Sequence, residues 1–119
     1  MSGERLQISR RKFERLVGDA LDAIPPELTA RMDNVVVQVA DRNDEEPSLL
    51  GLYDGIALTN RDDGYAGALP DTIWIYREAI LDISSTEDDV REEVLITVVH
   101  EIAHHFGISD ERLHDLGWA

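Results

Sequence analysis

Cysteine is absent from the 119 residues, so neither a disulfide nor a thiolate metal site can form. Any transition-metal site must use imidazole and carboxylate. Aromatic residues make up only 6%, which leaves the core to aliphatic side chains. Basic residues are scarce: 11 Lys plus Arg stand against 25 Asp plus Glu, a formal net charge of −14. Such a surface repels phosphate backbones and anionic lipid, which argues against nucleic-acid and membrane partners. No run approaches the roughly eighteen apolar residues of a membrane span, and the opening MSGERLQISRRKFERLVGD has no apolar signal-peptide core. The expectation is a cytoplasmic protein. A hydrophobic content of 43% is ordinary for a folded chain, and the length suits one domain over residues 1–119.

Apolar residues at Phe13, Leu16, Val17, Ala20, Leu21 and Ile24 repeat with helical spacing, and Pro25–Pro26 ends the run. Pro26 suits the first turn of a short helix reaching Met32. Asn34–Ala40 (NVVVQVA) is rich in β-branched residues and reads as a strand, and Thr72–Arg77 (TIWIYR) is the other clear one. Residues 41–55 read as an acidic, turn-rich loop, 56–60 (IALTN) as a weaker strand and 61–71 (RDDGYAGALPD) as an irregular loop.

A short helix is expected over Glu78–Ile83. Thr86 followed by Asp89 resembles a capping box, which predicts a long helix from about Glu87 to Phe106 with Gly107 placed to end it. The second half of that helix, VLITVVHEIAHHF, is apolar nearly all round, as in a helix buried in its domain. A last short helix covers Asp110–Leu116. A helix, two or three strands and then helices make a small α+β domain.

All four histidines lie between residues 100 and 114, within VVHEIAHHFGISDERLHDLGW. His100 and His104 are four apart on the long helix, so both rings leave one face, about 400° and about 6 Å apart along the axis. Two imidazoles so placed can converge on one Zn2+. Glu101 sits about 100° round the helix, too far to share the ion comfortably but within reach of a water beside it. A catalytic zinc takes a third protein ligand and keeps one position open. Gly107 lets the chain turn sharply, and Asp110 can then return a carboxylate. HEIAHHFGISD thus fits H-E-x-x-H-x-x-G-x-x-D from end to end.

That string resembles the zincin metallopeptidases, in the Asp-zincin variety where aspartate replaces the third histidine of metzincins. GLYDGIAL, GALPDTIWIYR and DERLHDLGW are similar to small single-domain minimal zincins, so the likeness spans roughly Val35 to Trp118. It implies a zincin-like α+β domain: an N-terminal helix, a small mixed sheet of about three strands, a long buried active-site helix and a short C-terminal helix. It also implies a zinc-dependent metallopeptidase acting on peptide or protein substrates. His100, His104 and Asp110 would be the metal ligands and Glu101 the general base, taking a proton from water and delivering it to the leaving amine. The methionine turn of metzincins is missing, since the two methionines, Met1 and Met32, both lie upstream. By the same analogy an edge strand receives extended substrate, with TIWIYR or the preceding GALP as candidates.

Each residue also has a plainer reading. Two helical histidines can merely pack or cap, although polar groups within so apolar a helix need partners, which a metal supplies. His105 points about 100° from the ligand face and suits a structural or surface role. His114 can replace Asp110 as third ligand, support a ligand, donate to an oxyanion, or bond a backbone carbonyl. Asp115 suits a solvated helix position, or orients a ligand histidine. Tyr53 and Tyr65, both in expected loops, suit packing on the core, with donation to an oxyanion as the alternative. Trp74 reads as core, and Trp118 as packing for the last helix. The acidic run Asp41–Glu46 lacks EF-hand spacing and reads as a solvated loop. The competing function is a zinc-binding domain without efficient catalysis, serving as an interaction or regulatory module. Glu101 favours hydrolysis, because metal binding alone needs only the histidines.

Overall fold

Ser9 opens the first helix by accepting a hydrogen bond from the Lys12 N–H (3.1 Å), and α1 runs over Arg10–Asp22. The computed structural model describes residues 6–30, 32–55 and 70–115, with the side chain of Asp110 outside them. The apolar stripe anticipated on α1 is real: Phe13, Leu16, Val17 and Ala20 are buried. Pro25 and Pro26 stop it and start α2 (Pro26–Thr29), which ends short of Met32.

Three strands follow: β1 (Val35–Ala40), β2 (Gly51–Asp54) and β3 (Asp71–Tyr76). Their spatial order is β1-β3-β2, with β1 parallel and β2 antiparallel to β3. The mixed sheet is thus as expected, but two of its parts are not. Residues 41–55 contain β2, a strand of four residues that includes a glycine and an aspartate and so carries no alternating pattern. TIWIYR is the central strand, with both edges occupied, so it cannot be the strand that receives an extended substrate. The expected strand at 56–60 lies outside the described residues, as do Tyr65, the GAL of GALP, Leu116 and Trp118.

One face of the sheet meets the helices. Ile73, Ile75 and Val39 point into the core, whereas Trp74 stands half-buried on the opposite face, beside Ala40, Arg42 and Asn43. Alternation along β3 decides this, because Ile73 and Ile75 claim the inner face and residue 74 must take the other. Trp74 is therefore not a core residue. α3 (Arg77–Asp82) then turns the chain toward α4 (Glu87–His105).

The start of α4 is the capping box expected of Thr86 and Asp89. The Asp89 N–H donates to Thr86 Oγ1 (3.1 Å) and the Thr86 N–H to Asp89 Oδ2 (3.2 Å). The helix then buries Val90, Val94, Val98, Val99, Ile102 and Ala103 against α1 and the sheet. Each of the valines and the isoleucine contributes about 1.5–3 kcal/mol when fully withdrawn from water. Its last turn closes as a Schellman motif: the Ile108 N–H reaches Ala103 O (2.8 Å) and the Gly107 N–H reaches His104 O (3.4 Å). Gly107 has φ 72°, the left-handed conformation such a stop requires. The short helix α5 (Asp110–Asp115) follows, and its Leu113 is buried. Among the described residues no helix is long and apolar enough to cross a membrane.

Burial of α4 is one-sided where the sequence suggested it was complete. His100 and Glu101 are half-buried, and His104, His105 and Phe106 are exposed. The apolar residues crowd one broad face, and the polar ones line a strip left open to solvent.

Candidate active site

His100, Glu101 and His104 line one cleft of about 330 Å3 between α4 and the segment Glu46–Gly51. Ile96, Thr97, Leu49 and Leu50 supply its apolar wall, with Glu93, Glu46 and Ser48 at its polar margin. The helix approaches the sheet closely here because residue 51 is glycine. A Cβ at Gly51 would lie 2.5 Å from Thr97 Cγ2 and 2.9 Å from Trp74 O. Any larger residue would lift β2 off α4 and open the cleft.

The rings of His100 and His104 have centroids 6.1 Å apart, with planes at 30°. With Zn–N about 2.1 Å, two imidazoles sharing one tetrahedral ion have centroids roughly 5–6 Å apart. The observed separation is thus close to the one a shared ion would require. Two imidazole nitrogen donors in a cleft that also holds carboxylates fit the chemistry of Zn2+. Among the described residues no third His, Asp or Glu joins these two histidines in a metal-sized group. Asp110 opens α5, but its side chain lies outside the described residues. His114 is exposed on α5 and is not gathered with the other two imidazoles. Asp115 is exposed as well, in keeping with a solvated position.

Glu101 is held on its sheet side. The backbone N–H of Tyr53 donates to Glu101 Oε1 (3.0 Å). Strand alternation explains why that N–H is available. The Tyr76 N–H donates to Leu50 O (2.9 Å), so residues 50 and 52 aim their backbone polar groups at β3, while 51 and 53, although paired with Ile75 and Ile73, turn theirs to the free edge of β2. That free edge faces α4.

Tyr53 itself belongs to a strand and not to a loop, and its ring is fully engaged. It stacks on His105 with centroids 3.8 Å apart and planes at 13°, and Phe106 meets it edge-on at 6.5 Å. Its hydroxyl donates to Asp71 Oδ2 (2.7 Å). Burial first, then the hydrogen bond to Asp71 and the charge on Asp71, push the phenol pKa above its ordinary range. His105, exposed yet stacked on Tyr53, thus fits the structural or surface role expected of it. Asp71 escaped sequence reading, and the one signal for it was an acid at the very start of an apolar strand, where a solvated turn is the commoner explanation.

The family described as zincin-like metallopeptidase matches residues 32–118. The chain belongs to the zincin-like metallopeptidase family. No curated protein matches its sequence. Among solved structures it resembles a conserved hypothetical protein from Thermo thermophilus, with 22% identity and a TM-score of 0.56 over 83% of this chain and 94% of that one. At that identity the likeness speaks for the fold.

Proposed function

We propose that this zincin-like protein is a zinc-dependent peptidase whose cleft runs between α4 and the free edge of β2. The observation that supports it most is the sharing of one cleft by His100, His104 and Glu101, with the carboxylate of Glu101 turned toward a strand edge. His100 and His104 would hold the ion, and Asp110, opening α5 three residues past Gly107, would complete the set. A bound Zn2+ supplies Lewis acidity, polarising a peptide carbonyl and bringing the pKa of a water down to about 7.

The rest falls to the chain's own groups. Glu101 accepts the proton of the attacking water and passes it to the leaving amine. With Oε1 engaged by the Tyr53 N–H, Oε2 is the oxygen left to take that proton. An extended peptide can add to the sheet along the outward-facing backbone of β2, with main-chain hydrogen bonds setting its register. Because the Tyr53 N–H is already engaged, that pairing runs along Gly51 and the residues before it, the same stretch that lines the cleft.

The test is hydrolysis of a broad peptide library by zinc-loaded wild type and by Glu101→Gln. The reading expects turnover in the wild type, its loss by two or more orders of magnitude in the variant, which is in line with general-base catalysis of about 10²–10⁴-fold, and equal zinc content in both. Zinc binding with equally negligible turnover in both proteins would instead make the domain a zinc-binding interaction module.

A further inference from the structure

Tyr53 makes contacts in three directions, and each ends on a different part of the frame around Glu101. Its N–H meets Glu101 Oε1, its ring lies flat on His105, and its hydroxyl reaches Asp71 Oδ2. Glu101 and His105 are four residues apart, so they share one flank of α4, about 100° round the helix from His100 and His104. Asp71 is the first residue of β3 and is 9% exposed. Its second oxygen, Oδ1, is buried with no hydrogen-bond partner among the described residues.

We propose that Tyr53 is the positioning residue for Glu101, with Asp71 and His105 fixing Tyr53 in turn. The proposal rests on reading the cleft as hydrolytic. A buried carboxylate with one oxygen unpaired depends heavily on the hydrogen bond to its other oxygen, because losing it would leave a charge withdrawn from water without support. The phenol is therefore tied firmly at its far end. Stacking on His105 and edge contact with Phe106 remove its rotational freedom at the near end.

A tyrosine held at both ends fixes its own backbone relative to α4. The strand-edge N–H, which would otherwise face water, is aimed at one oxygen of the base. Donation to Oε1 occupies that oxygen and leaves Oε2 as the proton acceptor. A merely structural tyrosine would contribute to stability without any coupling between its hydroxyl and the carboxylate of Glu101. Here the two are connected through one residue.

The coupling is measurable without turnover. In metal-free protein the Tyr53 amide proton, bonded to a carboxylate, should resonate downfield and exchange slowly. Glu101→Gln should move it upfield. Tyr53→Phe keeps the ring and the N–H but removes the tie to Asp71. Both it and Asp71→Asn should shift the residue 53 amide in the same direction and speed its exchange about tenfold, while α1 amides stay unchanged. With zinc bound, Tyr53→Phe should lower kcat about tenfold at unchanged KM and unchanged zinc content. An amide at residue 53 that ignores Glu101→Gln, or that ignores both Tyr53→Phe and Asp71→Asn in folded protein, overturns the proposal. A wild type that hydrolyses nothing overturns the hydrolytic reading and, with it, the positioning role.

Discussion

Gly51 lies so close to Thr97 that a methyl group on the glycine would penetrate the threonine side chain, 2.5 Å from its Cγ2. This single approach sets the distance between β2 and the site helix. Gly51→Ala is predicted to destabilise the fold by about 1–3 kcal/mol, measured by denaturant unfolding. Adding Thr97→Ser should recover only part of the loss, because Trp74 O also stands 2.9 Å from the new methyl. Full recovery would mean that the side-chain clash alone matters.

The capping box at the head of α4 gives a second expectation. Thr86→Ala removes the acceptor for the Asp89 N–H and should cost about 1 kcal/mol in thermal or denaturant unfolding. Thr86→Ser keeps the acceptor and should cost little. Equal losses in the two variants would locate the effect in the threonine methyl instead.

Metal should act as a folding ligand. Zinc at 100 times its dissociation constant is expected to stabilise the chain by about 2.7 kcal/mol, seen as a rise in Tm that a chelator reverses. His100→Ala and His104→Ala should each abolish the rise. Asp110→Ala should weaken it, and a full rise in that variant would remove Asp110 from the ligand set. Scanning calorimetry with and without zinc reads all three.

Alkaline pH should expose the environment of Tyr53. Its phenol pKa is raised in the folded state, mainly by burial and then by Asp71. The folded protein therefore binds this proton more tightly than the unfolded chain does, so its contribution is complete below the ordinary tyrosine pKa of about 10 and is lost as pH climbs above it. Wild type should lose stability more steeply than Tyr53→Phe above about pH 10. Parallel pH profiles for the two would count against the buried pairing with Asp71.

Much of this architecture was legible in the residues. The stripe of α1, the two prolines, the Thr86–Asp89 cap and Gly107 are local signals, and local chemistry settles each of them. His100 and His104 could be placed together because a four-residue step on a helix leaves no geometric choice. What could not be read depends on partners distant in sequence. β2 is four residues long and has strand geometry because β3 pairs with it, and TIWIYR is central because β1 and β2 take both of its edges. Trp74 shares the chemistry of a core residue, but pleat parity sends it to the outer face. The Tyr53–Asp71 bond joins residues 18 apart and had no periodicity to betray it.

The stretch that matches the family begins at residue 32, downstream of α1 and α2. Even so, Phe13 and Leu28 are as thoroughly enclosed as Ile102, and Lys12 and Arg91 bridge α1 and α4 through Glu87 and Asp19. The cooperative folding unit is therefore larger than the shared sequence. A protein trimmed to residues 32–118 would present to water the face of α4 that α1 covers, and would be expected to clump before it could be assayed.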